Sequence, residues 1–338
     1  MAIRFQKTGV FPHGMAPSEE RAALRTVEVC GRTAYKSEDR ISEDSAAAFV
    51  NALKRRGHLS VLEHSNIVLR ISGASAHAEA GGVHTDDFRR SLVNALGLRN
   101  GYHRICPLDG PSSGDLAIAG NFRSWIETIA HLKDKDDSYY HLFAASLSGF
   151  FPVLFGADYP RDPSLSSRVS LMGEEEQLAL LRRDMSKDLP VFIFKIICDR
   201  GITHEIVRHR VLSFTQESTR YVNYQNKGMR LILPEELLPF FDAERGGFTV
   251  DDPLVEKWSG RAKILFDWYQ EDLARGRRPE IARDILPNLL KSEIFVSGRW
   301  SGWRHFLDLR DAPQAHPRIR FIAEEIKDYF RTLELSAS

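Results

Sequence analysis

The chain has 338 residues, with 46 lysines and arginines against 46 aspartates and glutamates, so its formal net charge is zero. This balance argues against a protein that coats nucleic acid or an anionic membrane by bulk charge, although it leaves room for a local basic pocket. The hydrophobic fraction of 43% permits a sizeable core and excludes low-complexity and collagen-like classes. The length allows one large domain or two ordinary ones.

The sequence also bears on location and redox state. No apolar run reaches the ~18 residues needed to span a bilayer, and the opening residues, MAIRFQKTGVFPHGM, lack the apolar core of a signal peptide. Cys30, Cys106 and Cys198 are far apart and form no CxxC pair. We therefore expect a reduced, cytoplasmic protein that contacts no membrane and has no disulfide framework.

The first elements in chain order are two helices and a strand. One helix is predicted over 18–29 with Ser18 as its N-cap, and a second over 43–56, capped by Ser42 and ended by Gly57. Alternating apolar residues over 67–71 then predict a strand.

Residues 73–187 have a different character. Glycines and other small residues alternate with short helical stretches, and the charge run at 133–137 is typical of a solvated turn. Trp125, Tyr139 and Tyr140 favour a packed insertion or subdomain over a flexible linker.

The last part begins with a nearly uninterrupted apolar strand over 191–198, which predicts burial on both faces. After Gly201 the pattern is mostly helical, apart from a possible strand over 292–297. Helices are expected to open at Pro253, Pro279 and Pro317; the first ends at Gly276 and the second near Pro287. The predicted class is α+β, with a small central β-sheet flanked by helices and a partly helical insertion.

The densest polar chemistry lies in residues 202–224, directly after the buried strand and a glycine turn. Polar groups at the end of a rigid element commonly form a site. On a helix, Arg208 and Arg210 would point about 200° apart, so they would serve two ligands, or one ligand and a partner subunit. A solvated Arg/Glu network is the alternative, but the density of the cluster favours a functional site.

Several standard motifs are excluded or disfavoured. His204 and His209 resemble an HExxH pair, but their separation of five residues puts them about 140° apart on a helix, which argues against a metal site. Ser218 lacks the GxSxG context of an activated nucleophile. The chain has neither a dinucleotide-binding GxGxxG after a strand nor a P-loop.

Five segments carry a family resemblance. Arg208-His209-Arg210 is followed, after seven residues, by Ser218, which is the RHRx7S signature of the flavin-dependent thymidylate synthases. The other segments resemble, in the family's order, its HxSxxEH, RxxLP and closing sequences: GHLSVLEH at 57–64, RDILP at 283–287, HFLDLR at 305–310 and AHPRIR at 315–320.

The resemblance covers about 19–72 and 190–330. It implies a single catalytic domain over 1–338, with that family's fold, in which 73–187 is an insertion. It further implies conversion of dUMP to dTMP, with methylene-tetrahydrofolate as carbon donor and NAD(P)H-reduced FAD as hydride donor. The family assembles as a homotetramer with shared active sites. The flavin performs the difficult chemistry, while the protein binds, orients and polarises.

The resemblance also implies roles for individual residues. His58, near the folate entrance, and Arg310, facing the uracil to favour ionisation at N3, are the catalytic candidates. The expected cofactor-binding residues are Ser60, Glu63, Arg208, His209, Arg210, Gln216 and His305. The expected substrate-binding residues are Glu205, Arg208, Gln216, Glu217, Ser218, Thr219, Arg220, Arg283 and Arg310, with Ser218 and Arg220 suited to phosphate and sugar oxygens.

Some of these residues have simpler interpretations. His58 could neutralise a helix C-terminus. Arg283 and Arg310 could form surface salt bridges. Glu63 and His64 could only brace the flavin site, and Tyr221 and Tyr224 favour packing over chemistry.

The chain departs from the family pattern at three places. Arg299-Trp300-Ser301 stands where Asn-x-Arg commonly touches the flavin, Ala34 replaces a serine, and 315–319 differs from the usual AQxEI. The insertion contains GNFRSW at 120–125, so Asn121 and Arg123 are hypothesised to supply flavin contacts from a new position; a packed helix start is the alternative.

These departures leave other functions open. One is a flavin- and folate-dependent C5-methylase or hydroxymethylase acting on UMP or a cytosine nucleotide. Another is a non-catalytic family member that keeps flavin as a structural element. A nucleic-acid-binding module is a third, although zero net charge and the lack of a basic stripe count against it.

Overall fold

The computed structural model describes residues 4–72, 90–94, 96, 103–108, 115–135, 138–156, 169–242, 244–249 and 252–335. Its strands are β1 (Arg4–Gln6), β2 (Gly9–Met15), β3 (Ile67–Ile71), β4 (Arg104–Pro107), β5 (Leu116–Gly120), β6 (Val169–Leu171), β7 (Val191–Asp199), β8 (Ser213–Gln216), β9 (Arg230–Ile232), β10 (Phe241–Asp242), β11 (Gly247–Phe248) and β12 (Lys291–Arg299).

The helices are α1 (Glu20–Tyr35), α2 (Ser45–Arg55), α3 (Phe122–Asp134), α4 (Ser138–Phe150), α5 (Pro152–Phe155), α6 (Glu174–Arg183), α7 (Arg200–Ile206), α8 (Tyr224–Lys227), α9 (Pro253–Ala274), α10 (Pro279–Ala282), α11 (Trp300–Arg310) and α12 (Pro317–Thr332). Short 3-10 turns cover Glu38–Arg40, Leu59–Glu63, Met185–Lys187, Glu235–Phe240 and Arg283–Ile285. The mixed class of helices and small sheets is confirmed.

The first four-stranded sheet has the order β2-β7-β12-β8 and is antiparallel throughout. Its centre is the pairing of β7 with β12, which runs without a break from Val191 opposite Arg299 to Asp199 opposite Lys291. One face packs against α7, α11 and α12, where Phe194, Trp303 and Phe330 are buried. The other face meets α1, so the prediction of a doubly buried strand over 191–198 is confirmed.

A second four-stranded sheet, in the order β4-β5-β3-β6, stands where only one central sheet was expected. Both neighbours of β3, the predicted strand at 67–71, come from the insertion. One face of this sheet shares a core with α1 to α5, in which Val27 and Val50 pack with Trp125 and Phe143. The described part of the insertion is therefore built into the rest of the fold.

The outer elements form smaller units. Helix α9 packs with the parallel pair β1-β9 around Phe5, Leu231 and Tyr269, beside the β10-β11 hairpin. The helix openings at Pro253 and Pro317 are confirmed, with Asp252 capping the first by accepting from Leu254 N. The helix opened by Pro279 ends after one turn, at Ala282, and a 3-10 turn follows.

The first two predicted helices were misplaced at their ends. Helix α1 is capped by Glu19, whose carboxylate accepts from Arg21 N and Ala22 N; the predicted cap, Ser18, donates to Met172 O instead. With no breaker after residue 29, α1 continues to Tyr35. Helix α2 starts only at Ser45: its N-cap is Asp44, whose side chain makes no capping bond, and the backbone N–H of Ser42 donates to Ser45 Oγ.

The expectation of mostly helical structure after Gly201 was wrong for residues 207–216. Helix α7 ends at Ile206, and Ser213–Gln216 forms the edge strand β8 by pairing with β12. Arg208 and Arg210 therefore lie in a turn, and the argument from helical angles does not apply to them. The small-residue stretch at 73–82, the second one at 109–114 and the end of the charge run, at 136–137, lie outside the described residues. Over the described ranges, no helix combines the length and apolarity that crossing a membrane requires.

Close packing of α1 generates a stability prediction. A Cβ on Gly31 would lie 2.8 Å from Phe49 Cε1 and 2.9 Å from Val61 Cγ1. We expect Gly31→Ala to lower the free energy of unfolding by about 1–3 kcal/mol, because both neighbours are held by the core. Gly260→Ala in α9 meets nothing within 4 Å and should stabilise by up to about 1 kcal/mol. Urea unfolding measures both; equal effects would contradict the packing argument.

Candidate active site

The described site is organised around the turn between α7 and β8, which carries Arg208, His209 and Arg210. His209 is buried, while its two neighbours are exposed. Within the described part of the chain, neither of the two guanidinium groups makes a hydrogen bond or ion pair. The turn therefore presents two uncommitted positive charges on either side of a fixed imidazole.

Arg310, the last residue of α11, contacts this turn directly. Its Nε donates to His209 Nε2 at 2.9 Å, and its Nη1 donates to Glu205 Oε2 at 2.8 Å. A third bond runs from Nη2 to the backbone oxygen of Glu205, at 3.3 Å. Glu205, His209 and Arg310 were all predicted for the site, and the fold brings them together although they span about a third of the sequence.

His209 is held in its neutral form. Burial, and after it the charges of Arg310 and His305, lower the pKa of His209 to about 4. Because Nε2 accepts from Arg310, the ring proton resides on Nδ1. The ring also packs edge-on against Phe306, with 4.8 Å between centroids, and lies 5.9 Å from the ring of His305. Two turns of α11 therefore contribute to fixing the orientation of this imidazole.

The segment 216–220 is held by the interior of the fold. Gln216 Nε2 donates to Thr203 Oγ1 at 2.8 Å and to Ser292 Oγ at 2.9 Å. The backbone N–H of Ser218 donates to the carbonyl of Ala34 at 3.0 Å, which ties the segment to α1. The Ser218 hydroxyl accepts from Arg220 N at 3.3 Å.

Two predicted substrate residues, Thr219 and Arg283, lie together beyond this segment. Arg283 Nη1 donates to Thr219 Oγ1 at 3.2 Å. The Arg220 side chain is exposed and lies over the Tyr221 ring, 5.5 Å from its centroid. Thr219 and Arg283 thus form a second hydrogen-bonded group, which shares no residue with the group of Glu205, His209 and Arg310.

Glu217 belongs to a buried charge cluster that the sequence did not reveal. Its carboxylate accepts from Lys291 Nζ at 2.7 Å and from the Tyr224 hydroxyl at 3.2 Å. Burial, and then Glu217 itself, raises the pKa of Tyr224 well above its ordinary range.

The cluster continues to Glu293, where Lys36, Lys195 and Lys291 converge at 2.5–2.7 Å. Burial alone would raise the pKa of Glu293, but the charge of Lys291 and hydrogen bonds from all three lysines hold it well below its usual range. The cluster links β12 to β7 and to the end of α1. Its members are scattered along the sequence, so no local motif could have found them.

A cavity of about 420 Å³ lies between the insertion and the first sheet. This volume is within the range of small-molecule sites. Glu63 lines it, together with Arg210 and Ser213. The Glu63 carboxylate accepts from Ser213 Oγ at 2.7 Å and from Arg123 Nη1 at 2.8 Å. An insertion residue thus neutralises a predicted cofactor residue, while the equally predicted His58 and Ser60 are exposed and do not line this cavity.

The contacts of Asn121 and Arg123 agree in part with a packed helix start and in part with a place at the cavity. Asn121 caps α3 by accepting from Ser124 N at 2.8 Å, as in a packed helix start, yet it also lines the cavity. Arg123 pairs with Glu63 and with Glu127. Contact of either residue with a flavin stays a prediction.

Arg299 and Ser301, where the chain departs from the family pattern, both line the cavity. The Arg299 guanidinium donates to the backbone oxygens of Asp188 and Leu189. The Asp188 carboxylate, buried at 2% exposure, accepts from Ser301 N at the start of α11. Asp188 was missed by the sequence analysis, because it stands alone at the end of the insertion without a motif.

His64 connects two strands of the first sheet. Its Nε2 lies 2.9 Å from Thr215 Oγ1 on β8, and its Nδ1 contacts Ser297 Oγ on β12. A residue of the GHLSVLEH segment therefore joins these two strands. It is fully buried, and burial, followed by the charge of His13, lowers its pKa to about 3. The bracing role considered for His64 agrees with these contacts.

The regions of this chain that match known proteins contain the same sequence segments. Residues 18–81 and 187–333, more than half of the chain, match the family model Thy1, described as thymidylate synthase complementing protein. The chain belongs to this family. A flavin-dependent thymidylate synthase of Pyrococcus abyssi is 35% identical over 128 residues, 37% of this chain and 48% of that protein. Its counterpart in Mycobacterium marinum is 34% identical over 136 residues, 37% and 51% of the respective chains.

The chain spans about half the length of these curated relatives. Among solved structures, a UMP/dUMP methylase, PolB from Streptomyces cacaoi bound with 5-Br UMP, is 21% identical and gives a TM-score of 0.36. That alignment covers 46% of this chain and 77% of the other.

The buried His64 predicts a pH dependence of stability. The unfolded chain binds a proton at this side chain below its ordinary pKa of 6.5, whereas the folded chain does not until about 3. Stability that is present above pH 6.5 is therefore lost as the pH falls. Between pH 7 and pH 5 this one residue should remove about 2 kcal/mol.

Urea unfolding of wild type and His64→Gln at both pH values measures this loss. The variant should be less stable at pH 7 but should lose about 2 kcal/mol less on acidification, because Gln takes up no proton. His58→Gln, at an exposed position, is the matched control. Parallel pH profiles of wild type and His64→Gln would contradict the assignment.

Proposed function

We propose that this chain catalyses flavin-dependent methylation of dUMP at C5 to give dTMP, with methylene-tetrahydrofolate as carbon donor and NAD(P)H-reduced FAD as hydride donor. Family membership supports the class of reaction. The observation that carries the proposal is the joining of Arg310 to His209 and Glu205, beside two uncommitted arginines and a cavity of about 420 Å³.

The cavity fits part of a flavin nucleotide by the chemistry of its lining. Arg210 offers an unpaired guanidinium for an anionic or carbonyl oxygen, and Asn121 and Ser213 add polar groups. Glu63 is already neutralised by Arg123, so it does not repel an anion there. In the proposal, Arg208, Arg210 and Glu63 hold the cofactor, which when bound supplies the hydride, while folate supplies the carbon.

The chain's own contribution at the pyrimidine is a positioned charge. Arg310 carries the fixed positive charge that stabilises an anion developing at N3 of the uracil. His209 and Glu205 orient the guanidinium by accepting from Nε and Nη1, so that little reorganisation is needed when substrate binds. The neutral state of His209 matters, because an imidazolium could not accept from Arg310.

The other end of the nucleotide is assigned to the second group of residues. Arg283 and Thr219 are hydrogen-bonded to each other, and Ser218 and Arg220 lie alongside in the same segment. Guanidinium and hydroxyl groups bind phosphate oxygens well. Glu217 and Gln216 are engaged in the interior, so in this proposal they position the segment.

We further propose that sites are shared between subunits of a homotetramer. The division of the predicted residues into two hydrogen-bonded groups that share no member supports this, as do exposed apolar side chains next to them in sequence: Val211 at 66%, Tyr221 at 55% and Leu309 at 51%. Light scattering tests the mass, and Val211→Glu should lower it, because a buried unpaired charge opposes association. A wild-type monomer that turns over dUMP would contradict the shared site.

The central test is the spectrum and turnover of the purified chain. It should be yellow, be bleached by NADPH and recover its colour in air, and it should form dTMP from dUMP and methylene-tetrahydrofolate. A colourless chain that cannot take up FAD would refute the proposal. Faster turnover of UMP than of dUMP would identify UMP as the preferred substrate and leave the proposed flavin chemistry unchanged.

Arg310→Gln should keep its flavin but lose about 10²- to 10³-fold in kcat, because the fixed charge at the pyrimidine is removed. Arg304→Gln, an exposed arginine on the same helix, is the control and should behave as wild type. Steady-state kinetics with dUMP, together with the flavin absorbance of each variant, measures both. Wild-type kcat in Arg310→Gln would remove this residue from the mechanism.

A further inference from the structure

His103, immediately before β4 in the insertion, is a buried histidine that the described fold leaves unsatisfied. It is 8% exposed, and neither Nδ1 nor Nε2 has a hydrogen-bond partner among the residues that the structure describes. Its ring packs edge-on against Trp125, with centroids 5.0 Å apart. A buried polar group without a partner costs free energy, typically about 1–3 kcal/mol, so its retention calls for a ligand.

The same histidine lines the cavity of about 420 Å³, together with its neighbour Arg104 and with Arg299 on β12. The charges of these groups shift one another's pKa values. Burial, and then the charge of Arg299, lowers the pKa of His103 to about 4. Burial lowers the pKa of Arg299 to about 10; the charge of Asp188 opposes this change, and the charge of Arg104 adds to it. The two guanidinium groups therefore repel each other at a cavity wall, beside a neutral imidazole that can donate one hydrogen bond.

The nearby carboxylates offset only part of the positive charge of this cluster, since Asp188 faces Arg299 but nothing pairs with the charge of Arg104 among the described residues. Glu63 is paired with Arg123. Asp188 is committed to the start of α11, where its carboxylate accepts from Ser301 N, and Arg299 donates to backbone oxygens of 188 and 189. Arg104 Nη2 donates to the Ser186 backbone oxygen at 2.6 Å, which directs this guanidinium without neutralising it.

We propose that His103, Arg104 and Arg299 form a phosphate-binding subsite, supplied mainly by the insertion, that binds the diphosphate of the flavin adenine dinucleotide. This inference rests on the proposed function. Two guanidinium groups and a neutral imidazole match the several oxygens and the double charge of a diphosphate. Arg210, which lines the same cavity, is left for the flavin part of the cofactor.

The sharpest variant is His103→Phe, since phenylalanine keeps the ring packing on Trp125 and removes both nitrogens. Because these nitrogens have no partner in the described part of the chain, the ligand-free variant should be as stable as wild type or more so. Arg104→Gln removes one charge at an exposed position. Arg183→Gln, an exposed arginine at the end of α6 that does not line the cavity, is the matched control.

Two measurements test the subsite. In the first, dissociation constants for FAD, riboflavin and dUMP are measured by fluorescence and calorimetry. His103→Phe and Arg104→Gln should each weaken FAD about tenfold, the size expected for one charge-assisted hydrogen bond. Riboflavin, which lacks phosphate, and dUMP should bind as to wild type. In the second, inorganic pyrophosphate should raise the melting temperature of wild type and of Arg183→Gln, but not of the double variant His103→Phe/Arg104→Gln.

The outcomes separate this inference from the proposed function. If wild type binds no flavin at all, the proposed function fails and the inference fails with it. If wild type binds FAD and the variants bind it equally well, only the inference is overturned. Equal weakening of FAD and riboflavin would mean that His103 and Arg104 shape the cavity without binding phosphate, and weakening of dUMP alone would assign the subsite to the substrate. Either result overturns the assignment to the dinucleotide.

Discussion

The rest of the site depends on the pairing of β7 with β12. The two strands are antiparallel, buried on both faces, and each is followed directly by a helix that packs on the same face of the sheet. Helix α7 starts at one end of the sheet and α11 at the other, so their C-terminal ends approach each other. Arg310 meets Glu205 and His209 because of this geometry, and a slip of one residue in register would turn every side chain of β12 to the opposite face.

Electrostatics reinforces the same pairing. Lys195 on β7 and Lys291 on β12 both bond to Glu293, and Lys36 adds the end of α1 to the group. Breaking one member of such a buried group leaves an uncompensated charge, which is why these contacts specify an arrangement more than they add net stability. The three lysines are matched by Glu38, Glu217 and Glu293, so the cluster is balanced within itself, as the whole chain is.

Features with local causes were predictable from the sequence. The strands at 191–198 and 292–297 appear as apolar runs, and the helices at Pro253 and Pro317 follow from a cap and a proline at the first position. Strand β8 was missed because its polar sequence becomes a strand only through pairing with β12. The second sheet was missed for the same reason, since its pairings join residues far apart in sequence.

The residues of the site show the same difference between features with local causes and features that depend on the whole fold. The motif at 208–210 and Arg310 were found, because family resemblance marks them. Glu217 looked like a ligand contact, but the fold turns it inward to Lys291, and no pattern in the sequence foretells that bond. His103 and Asp188 stand outside every motif, and only three-dimensional placement brings them to the cavity.

The pairing of β3 has a consequence for how the chain folds during its synthesis. Both of its hydrogen-bonding neighbours, β5 and β6, belong to the insertion, although β3 itself lies in the family segment. Excising the insertion would leave both edges of an apolar strand open, ready to pair with another chain. During synthesis, too, β3 must wait for β6 to emerge before its second edge is closed, and until then it is exposed to misassembly. The insertion therefore protects both edges of the strand that precedes it.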